Sequence, residues 1–344
     1  MNNENKTAMP QLPPEAVLPQ MILGGLMQKS ICVAAKLGIA DLIAEKPRAA
    51  EELAAATDAH APSLYRVLRT LASAGVFAEN SDGKFELTPL AELLRSDTPG
   101  SMRDYAIMMG EDWIWQAYGE LMYSVKTGGI AHDKVQGMSS FEFFEKNEEV
   151  GKIFNRAMTN LSLLSAPAIV EGYDFSSINK LVDIAGGHGL LLAAILKANP
   201  HLQGVLFDLP FVIENAGELL ESEGVAARTE KVSGDFFESV PAGADAYLMK
   251  HIIHDWNDER SVKILQNIYR AMNDDGKVLI VEMVVPVGNE PSPAKGLDLV
   301  MLTVEGGKER TEKEYRELLA AAGLRLSRVI PTRSPYSIVE AVKN

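Results

Sequence analysis

Apolar positions crowd the start of the chain. From Pro14 to Glu45 nearly every helical turn carries one (Val17, Leu18, Met21, Ile22, Leu23, Leu26, Met27, Ile31, Val33, Leu37). That is too many for a helix with one wet face, so the segment is expected to need a partner on more than one side. A second subunit is the preferred partner, because so small an N-terminal unit has little core of its own to offer. AAEELAAA and APSLYRVLRTLASAG then read as two short helices, with Leu64, Val67, Leu68 and Leu71 at helical spacing, and VFAENSDGKFELT reads as a hairpin turning at Asp82-Gly83. Two short helices and a hairpin predict a winged helix-turn-helix. Residues 101–170 read as mainly helical and rich in aromatic residues and methionine, including Trp113, Trp115, Phe141, Phe143, Phe144 and Phe154. Most of these belong to helix packing, and a few are candidates to line a flat apolar pocket.

From Lys180 the period changes. KLVDIAG, GVLFDLP, EKVSGDFF, ADAYLMKHI and GKVLIVEMVV read as strands, separated by LLLAAILKAN, FVIENAGELLES and residues 257–272 as helices. Strand and helix in alternation predict an α/β fold with a doubly wound, parallel, Rossmann-like sheet. TEKEYRELLAAAG opens on a capping box, Thr311 to Glu314, and closes on a glycine. LSRVIPTRSPYSIVEAVKN reads as two last strands, the final one antiparallel. The expected organisation is a disordered leader over 1–13, a mainly α-helical winged-helix domain over 14–100, a helical linker and pocket region over 101–170, and an α/β domain over 171–344.

Charge removes one large class of partners. The chain has 47 acidic and 33 basic side chains, a net charge of −14, where nucleic-acid binding calls for a basic footprint. The winged helix itself, residues 48–95, holds five basic and seven acidic groups, which argues against a regulator that reads DNA with its second helix. Cys32 is the single cysteine, so an intramolecular disulfide is excluded and a reducing, cytoplasmic setting is expected. No apolar run approaches the ~18–20 residues of a membrane span. No membrane partner is expected.

DIAGGHG, residues 183–189, lies between a strand and a helix, where glycines admit a ligand to the backbone and the helix N-terminus offers free N–H groups. Asp208 ends the next strand, 22 residues beyond Gly186, where an acidic side chain accepts from ribose hydroxyls. Together they indicate an adenosine-type cofactor, a dinucleotide or S-adenosylmethionine. The charge of Asp183 favours S-adenosylmethionine, because a carboxylate at that strand end repels phosphate and suits an ammonium or sulfonium group. Asp235, just past a third strand, is placed to accept from an adenine amino group with Phe236 against the ring; its alternative role is to initiate a turn. KHIIHDWND, residues 250–258, puts His251 and His254 three apart with Asp255 next. A metal reading of that cluster lacks a third and fourth ligand.

The segments LVDIAGGHG, GVLFDLP, SGDFFESVP, MKHIIHDWNDE, VLIVEMVVP and GGKERT closely resemble, in that order, the small-molecule O-methyltransferases that act on phenols in plants and bacteria, including the caffeic acid and acetylserotonin enzymes. The resemblance covers nearly the whole chain and implies that the winged-helix domain serves homodimerisation. It implies His254 as general base, Glu282 and Glu309 as carboxylates bracketing its ring, and Asp255 as a substrate-facing neighbour. Gly186, Asp208, Asp235, Phe236 and Lys250 fall on cofactor positions, with Met158 and Ser162 near the methionine end and the reacting methyl; Asp183, Gly187 and Leu209 complete the cofactor-binding candidates. The implied cofactor is S-adenosylmethionine, with S-adenosylhomocysteine as product and no metal. Ala185 departs from the family, standing where many members have the first of three glycines, and the VEGGKERT segment is one residue shorter before its glycines than in plant members. Relatives that bind the cofactor yet decarboxylate or hydroxylate an aromatic polyketide form the alternative; the retained histidine and glutamates argue against it.

The chemistry is compatible with that placement. A phenol with pKa ~10 faces an imidazole near ~6.5, so proton transfer in water is uphill by roughly 5 kcal/mol. Carboxylates beside the ring reduce that cost by stabilising the imidazolium. Holding oxygen, methyl and sulfur in line supplies most of the rest.

Overall fold

Proline and glycine punctuate the first helices. Pro14 opens the helix Pro14–Ile22, where its missing N–H costs nothing, and Gly38, at φ 63°, turns the chain from Gly24–Lys36 into Ile39–Leu42. The computed structural model describes residues 13–344, so the expected leader lies outside the described residues except for Pro13. The chain divides into two compact units that meet in sequence at Glu111 and Asp112.

In the first unit, helices Ala50–Thr57 and Ala61–Ser73 precede a hairpin. Its strands β2 (Phe77–Glu79) and β3 (Lys84–Leu87) pair with a short β1 (Arg48–Ala49) in the order β1-β3-β2. Asn80 Oδ1 accepts from the Asp82 and Lys84 amides at 3.0 and 3.1 Å and fixes the hairpin turn. Leu53, Leu68, Leu71, Phe77 and Phe85 form the buried centre of this winged helix. Its first two helices carry an exposed apolar face in which Leu18, Met21, Ile22, Leu23 and Leu26 stand clear of the unit's core, Met21 and Ile22 being 72% and 73% exposed.

The second unit begins with helices, among them Asp112–Gly119, Ala131–Gln136, Ser140–Lys146 and the 25-residue Glu148–Gly172. A seven-stranded sheet follows, made of β4 (Lys180–Ile184), β5 (Gln203–Asp208), β6 (Thr229–Ser233), β7 (Ala246–Lys250), β8 (Lys277–Glu282), β9 (Leu324–Pro331) and β10 (Ser337–Lys343). The order is β6-β5-β4-β7-β8-β10-β9, parallel throughout except that β10 runs antiparallel to both neighbours. The central strands read as unbroken apolar runs because both faces are covered. Leu181, Leu248, Leu279 and Val281 face one layer with Ile169 and Leu192, while Val182, Tyr247, Met249 and Ile280 face the other with Ile264, Leu265 and Leu319. The doubly wound sheet expected from the alternation is present. One expected helix is broken: FVIENAGELLES forms Pro210–Glu214 and Gly217–Ser222, because Asn215 turns its side chain back to the Phe211 carbonyl at 2.8 Å and Gly217 follows with little helix propensity. Among the described residues no single helix is long and apolar enough to cross a membrane.

Candidate active site

Because β4, β5, β7 and β8 are parallel, their carboxyl ends share one edge of the sheet. The chain runs outward from β4 to β5 and β6, then returns to place β7 on the other side of β4, which opens a crevice at the carboxyl ends of β4 and β7. Asp183, Asp208, Lys250 and Glu282 all occupy this edge, at or next to their strand ends. A one-sided constellation drawn from four strands is thus a direct result of topology.

On the β4 side of the crevice the carboxylate of Asp208 accepts from the Gly187 and Leu209 amides at 2.8 and 2.7 Å, tying the glycine turn to the end of β5. Burial raises the Asp208 pKa. The Gly234 amide donates to the Asp208 carbonyl at 3.0 Å and brings Asp235 and Phe236 to the same edge. Asp235 is exposed, and its Oδ1 accepts from the Phe237 amide at 2.8 Å, so it does initiate a turn. Gly186 has no room for a side chain: a Cβ would stand 2.5 Å from Asp183 Oδ2 and 2.6 Å from Leu206. Ala185, where the resemblance expects glycine, holds a left-handed φ of 52° that favours glycine.

Asp183 is buried, and its Oδ2 has no hydrogen-bond partner. Burial and the nearby charge of Asp208 push its pKa up to about 7, against the pull of Lys250. Burial brings the Lys250 ammonium down to about 8. Lys250 Nζ donates to Ser162 Oγ at 3.2 Å, and Ser162 lies one helical turn after Met158 on Glu148–Gly172, so both face one side.

His254 stands just beyond β7, in a single 3-10 turn, Ile253–Asp255, and is 5% exposed. Its Nδ1–H donates to Glu309 Oε1 at 2.6 Å, a carboxylate partner that fixes the tautomer, and Nε2 lies 3.3 Å from Asp255 Oδ1. Glu282 does not bracket the ring. Its Oε1 accepts from the Ile252 and His254 backbone amides at 3.2 and 3.1 Å and Oε2 accepts from the Tyr315 hydroxyl, so it anchors the turn while Asp255 is the second carboxylate at the ring. The difference follows from position, since Glu282 ends β8 beside β7 and meets the backbone that leaves β7 first. Burial depresses the His254 pKa, but Asp255, the Glu309 hydrogen bond and Glu282 together outweigh it and bring it to about 9. Asp255 is itself pushed up to about 8, mainly by burial. The His251 ring lies against that of His254, centroids 4.9 Å apart at 23°, so two near-parallel rings do not converge on one ion.

The segment 305–311 clamps this turn. The Gly307 backbone presses against it, so that a Cβ there would collide with the His254 carbonyl oxygen, and the Lys308 amide donates to that oxygen at 2.9 Å. Glu309 receives the ring and is held in turn by its own amide donating to Asp298 Oδ1 at 2.9 Å. Arg310, fully buried, donates to the Ile253 and Trp256 carbonyls at 3.0 Å each and to Asp258 at 2.8 Å. Tyr315, Asp298 and Glu305 escaped the sequence reading, and Arg310 entered it only as a letter of the GGKERT segment, with no role assigned.

Residues 118–325 match a model of the O-methyltransferase domain and residues 20–97 a model of the O-methyltransferase dimerisation domain. The chain is 49% identical over 330 residues to the phenazine O-methyltransferase PhzM of Lysobacter antibioticus, covering 96% of each. It is 38% identical to the mitomycin biosynthesis 6-O-methyltransferase of Streptomyces lavendulae, over 98% of this chain and 97% of that one. Among solved structures, that of CalO1, a methyltransferase in calicheamicin biosynthesis in its S-adenosylhomocysteine-bound form, superposes with a TM-score of 0.88 at 36% identity, covering 98% of this chain and 100% of the other.

Proposed function

This chain belongs to the O-methyltransferase family, and from that premise we propose that His254 is the general base for methylation of a hydroxyl on a small aromatic acceptor, with no metal taking part. The enzyme is dependent on S-adenosylmethionine, which when bound supplies an electrophilic methyl on a sulfonium. The residues fit that group: the orphaned, buried Asp183 Oδ2 suits a cation, and Gly186 lies so close to Asp183 that any side chain there would press on that carboxylate. In this reading Asp208 and the Gly187–Leu209 backbone hold the ribose side, Asp235 and Phe236 the adenine, and Lys250, Met158 and Ser162 the methionine end.

The observation that carries the proposal is the His254–Glu309 contact of 2.6 Å. It consigns Nδ1 to a carboxylate and leaves Nε2 as the one ring atom able to take a proton. With the imidazole at about 9, the gap to a phenol of pKa ~10 shrinks to roughly one unit, or ~1.4 kcal/mol. Asp255, beside Nε2, faces the acceptor. Residues 14–100 form the dimerisation domain of a homodimer, 101–170 the helices around the pocket and 171–344 the cofactor-binding catalytic domain.

The test pairs wild type with His254→Ala on a panel of catechols, hydroxyindoles and hydroxyquinones, with products resolved by mass. Wild type is expected to add one methyl; the variant is expected to lose at least ~100-fold in turnover, the scale of a general base, while binding the cofactor as before in calorimetry. Turnover that survives the substitution sinks the assignment.

A further inference from the structure

One ring beside the base takes no part in proton transfer. His251 leaves β7 on a left-handed backbone, φ 56°, which residues with a side chain seldom adopt, and its amide donates to the Val281 carbonyl at 3.3 Å. Residues in such conformations persist where their surroundings over-determine them, and they cluster at functional sites. Here the strained residue comes two positions before the catalytic turn, and its ring lies face to face with that of His254, centroids 4.9 Å apart at 23°.

The His251 ring is itself held from another strand. Tyr336, which directly precedes β10 and is 5% exposed, meets it edge-on, centroids 4.7 Å apart at 65°. The Lys250 ammonium lies 5.4 Å from the Tyr336 centroid on that same side of the site. His251 Nε2 is buried and has no hydrogen-bond partner, so that nitrogen gives the ring no hydrogen-bonding task. Burial, Lys250 and His254 depress the His251 pKa well below its ordinary value, which keeps the ring neutral beside the imidazolium that His254 becomes.

We propose that His251 is a positioning residue, an aromatic plate between Tyr336 and His254 that fixes the plane of the base and so aims Nε2 of His254 at the acceptor oxygen. The inference rests on the reading of His254 as the base. The 2.6 Å contact with Glu309 pins the His254 ring at Nδ1 and leaves it to tilt about that point. A flat ring against its face removes the tilt, since aromatic pairs at this separation hold preferred geometries.

Turnover of the acceptor panel is compared in wild type, His251→Asn, His251→Phe, His254→Ala and the double variant His251→Asn with His254→Ala. Asparagine tolerates a left-handed backbone, so His251→Asn removes the ring without adding strain. It is expected to lower kcat about tenfold, the scale of a slightly misplaced reacting group, with acceptor KM and calorimetric cofactor affinity unchanged. His251→Phe keeps the plate and is expected to stay within about threefold of wild type. In the double variant the loss at position 251 is expected to vanish, because a residue that acts through the base has nothing to act on once the base is gone. A loss that persists beside His254→Ala, a His251→Phe as slow as His251→Asn, or an undiminished His251→Asn overturns the proposal. Full turnover in His254→Ala is a different result, which sinks the base and the inference that rests on it. A second measurement needs no acceptor. The chain has six histidines, so full-length protein labelled with 13C-histidine and saturated with S-adenosylhomocysteine gives few ring signals in NMR, and the His254 signal is the one missing from His254→Ala. A stacked ring shields its neighbour, so the His254 Cε1–H signal is expected to move downfield in His251→Asn and to hold in His251→Phe; a signal unmoved in His251→Asn overturns the proposal. Should His251→Asn fail to fold, His251→Gly takes its place.

Discussion

In the proposed reaction a proton leaving an acceptor hydroxyl meets one atom, His254 Nε2, whose basicity is set by groups drawn from several parts of the chain. Asp255 is its neighbour in sequence, Glu309 is 55 residues away at 2.6 Å, and Glu282 holds the backbone beneath. The sum sets the sign of the pH dependence. A histidine raised from 6.5 to about 9 rests as imidazolium at neutral pH, so kcat/KM is expected to climb with pH, close to tenfold per unit below about 9, and to level above it. Glu309→Gln removes a carboxylate and returns the ring toward its ordinary value, moving that limb to lower pH; a pH series of kcat/KM on both proteins measures the shift. A limb that stays in place in Glu309→Gln refutes the account. His254, Asp255 and Glu309 were legible in the sequence through the family pattern, and Asp183 through its charge alone. The task of Glu282 was not, because whether a carboxylate reaches a ring or two backbone amides depends on which neighbouring strand it ends.

At the scale of elements, the segment 305–311 does for the catalytic turn what a splint does for a joint. The Lys308 amide and Arg310 donate to the His254, Ile253 and Trp256 carbonyls in and beside the short 3-10 turn, and the capping box at Thr311 then starts the helix that carries Tyr315 to Glu282. The close approach requires glycine at 307. Gly307→Ala is therefore expected to push the segment off the turn, lowering turnover by about 100-fold through a misplaced base. Cofactor binding, proposed at the ends of β4, β5, β6 and β7, should be retained. Parallel kinetics and calorimetry check this, and a fully active variant contradicts it. Strand-and-helix alternation was readable because buried parallel strands announce themselves as apolar runs. The break at Asn215 was not, since the helical period continues across it.

For the whole molecule, the two units differ in how completely they cover themselves. The α/β unit buries both faces of its central strands, whereas the helical start of the winged helix leaves Leu18, Met21, Ile22 and Leu26 exposed, as expected where a second copy of the chain completes the surface. Met21→Glu with Ile22→Glu is expected to halve the mass measured by light scattering after gel filtration; an unchanged mass places the dimer interface elsewhere. The order of the sheet has a further consequence, for folding. β10 follows β9 in the chain, yet it lies between β8 and β9 and pairs with both. Until β10 is inserted, β8 and the Glu282 at its end keep a bare edge, so the turn whose His254 amide donates to Glu282 takes its footing from a strand far along the chain.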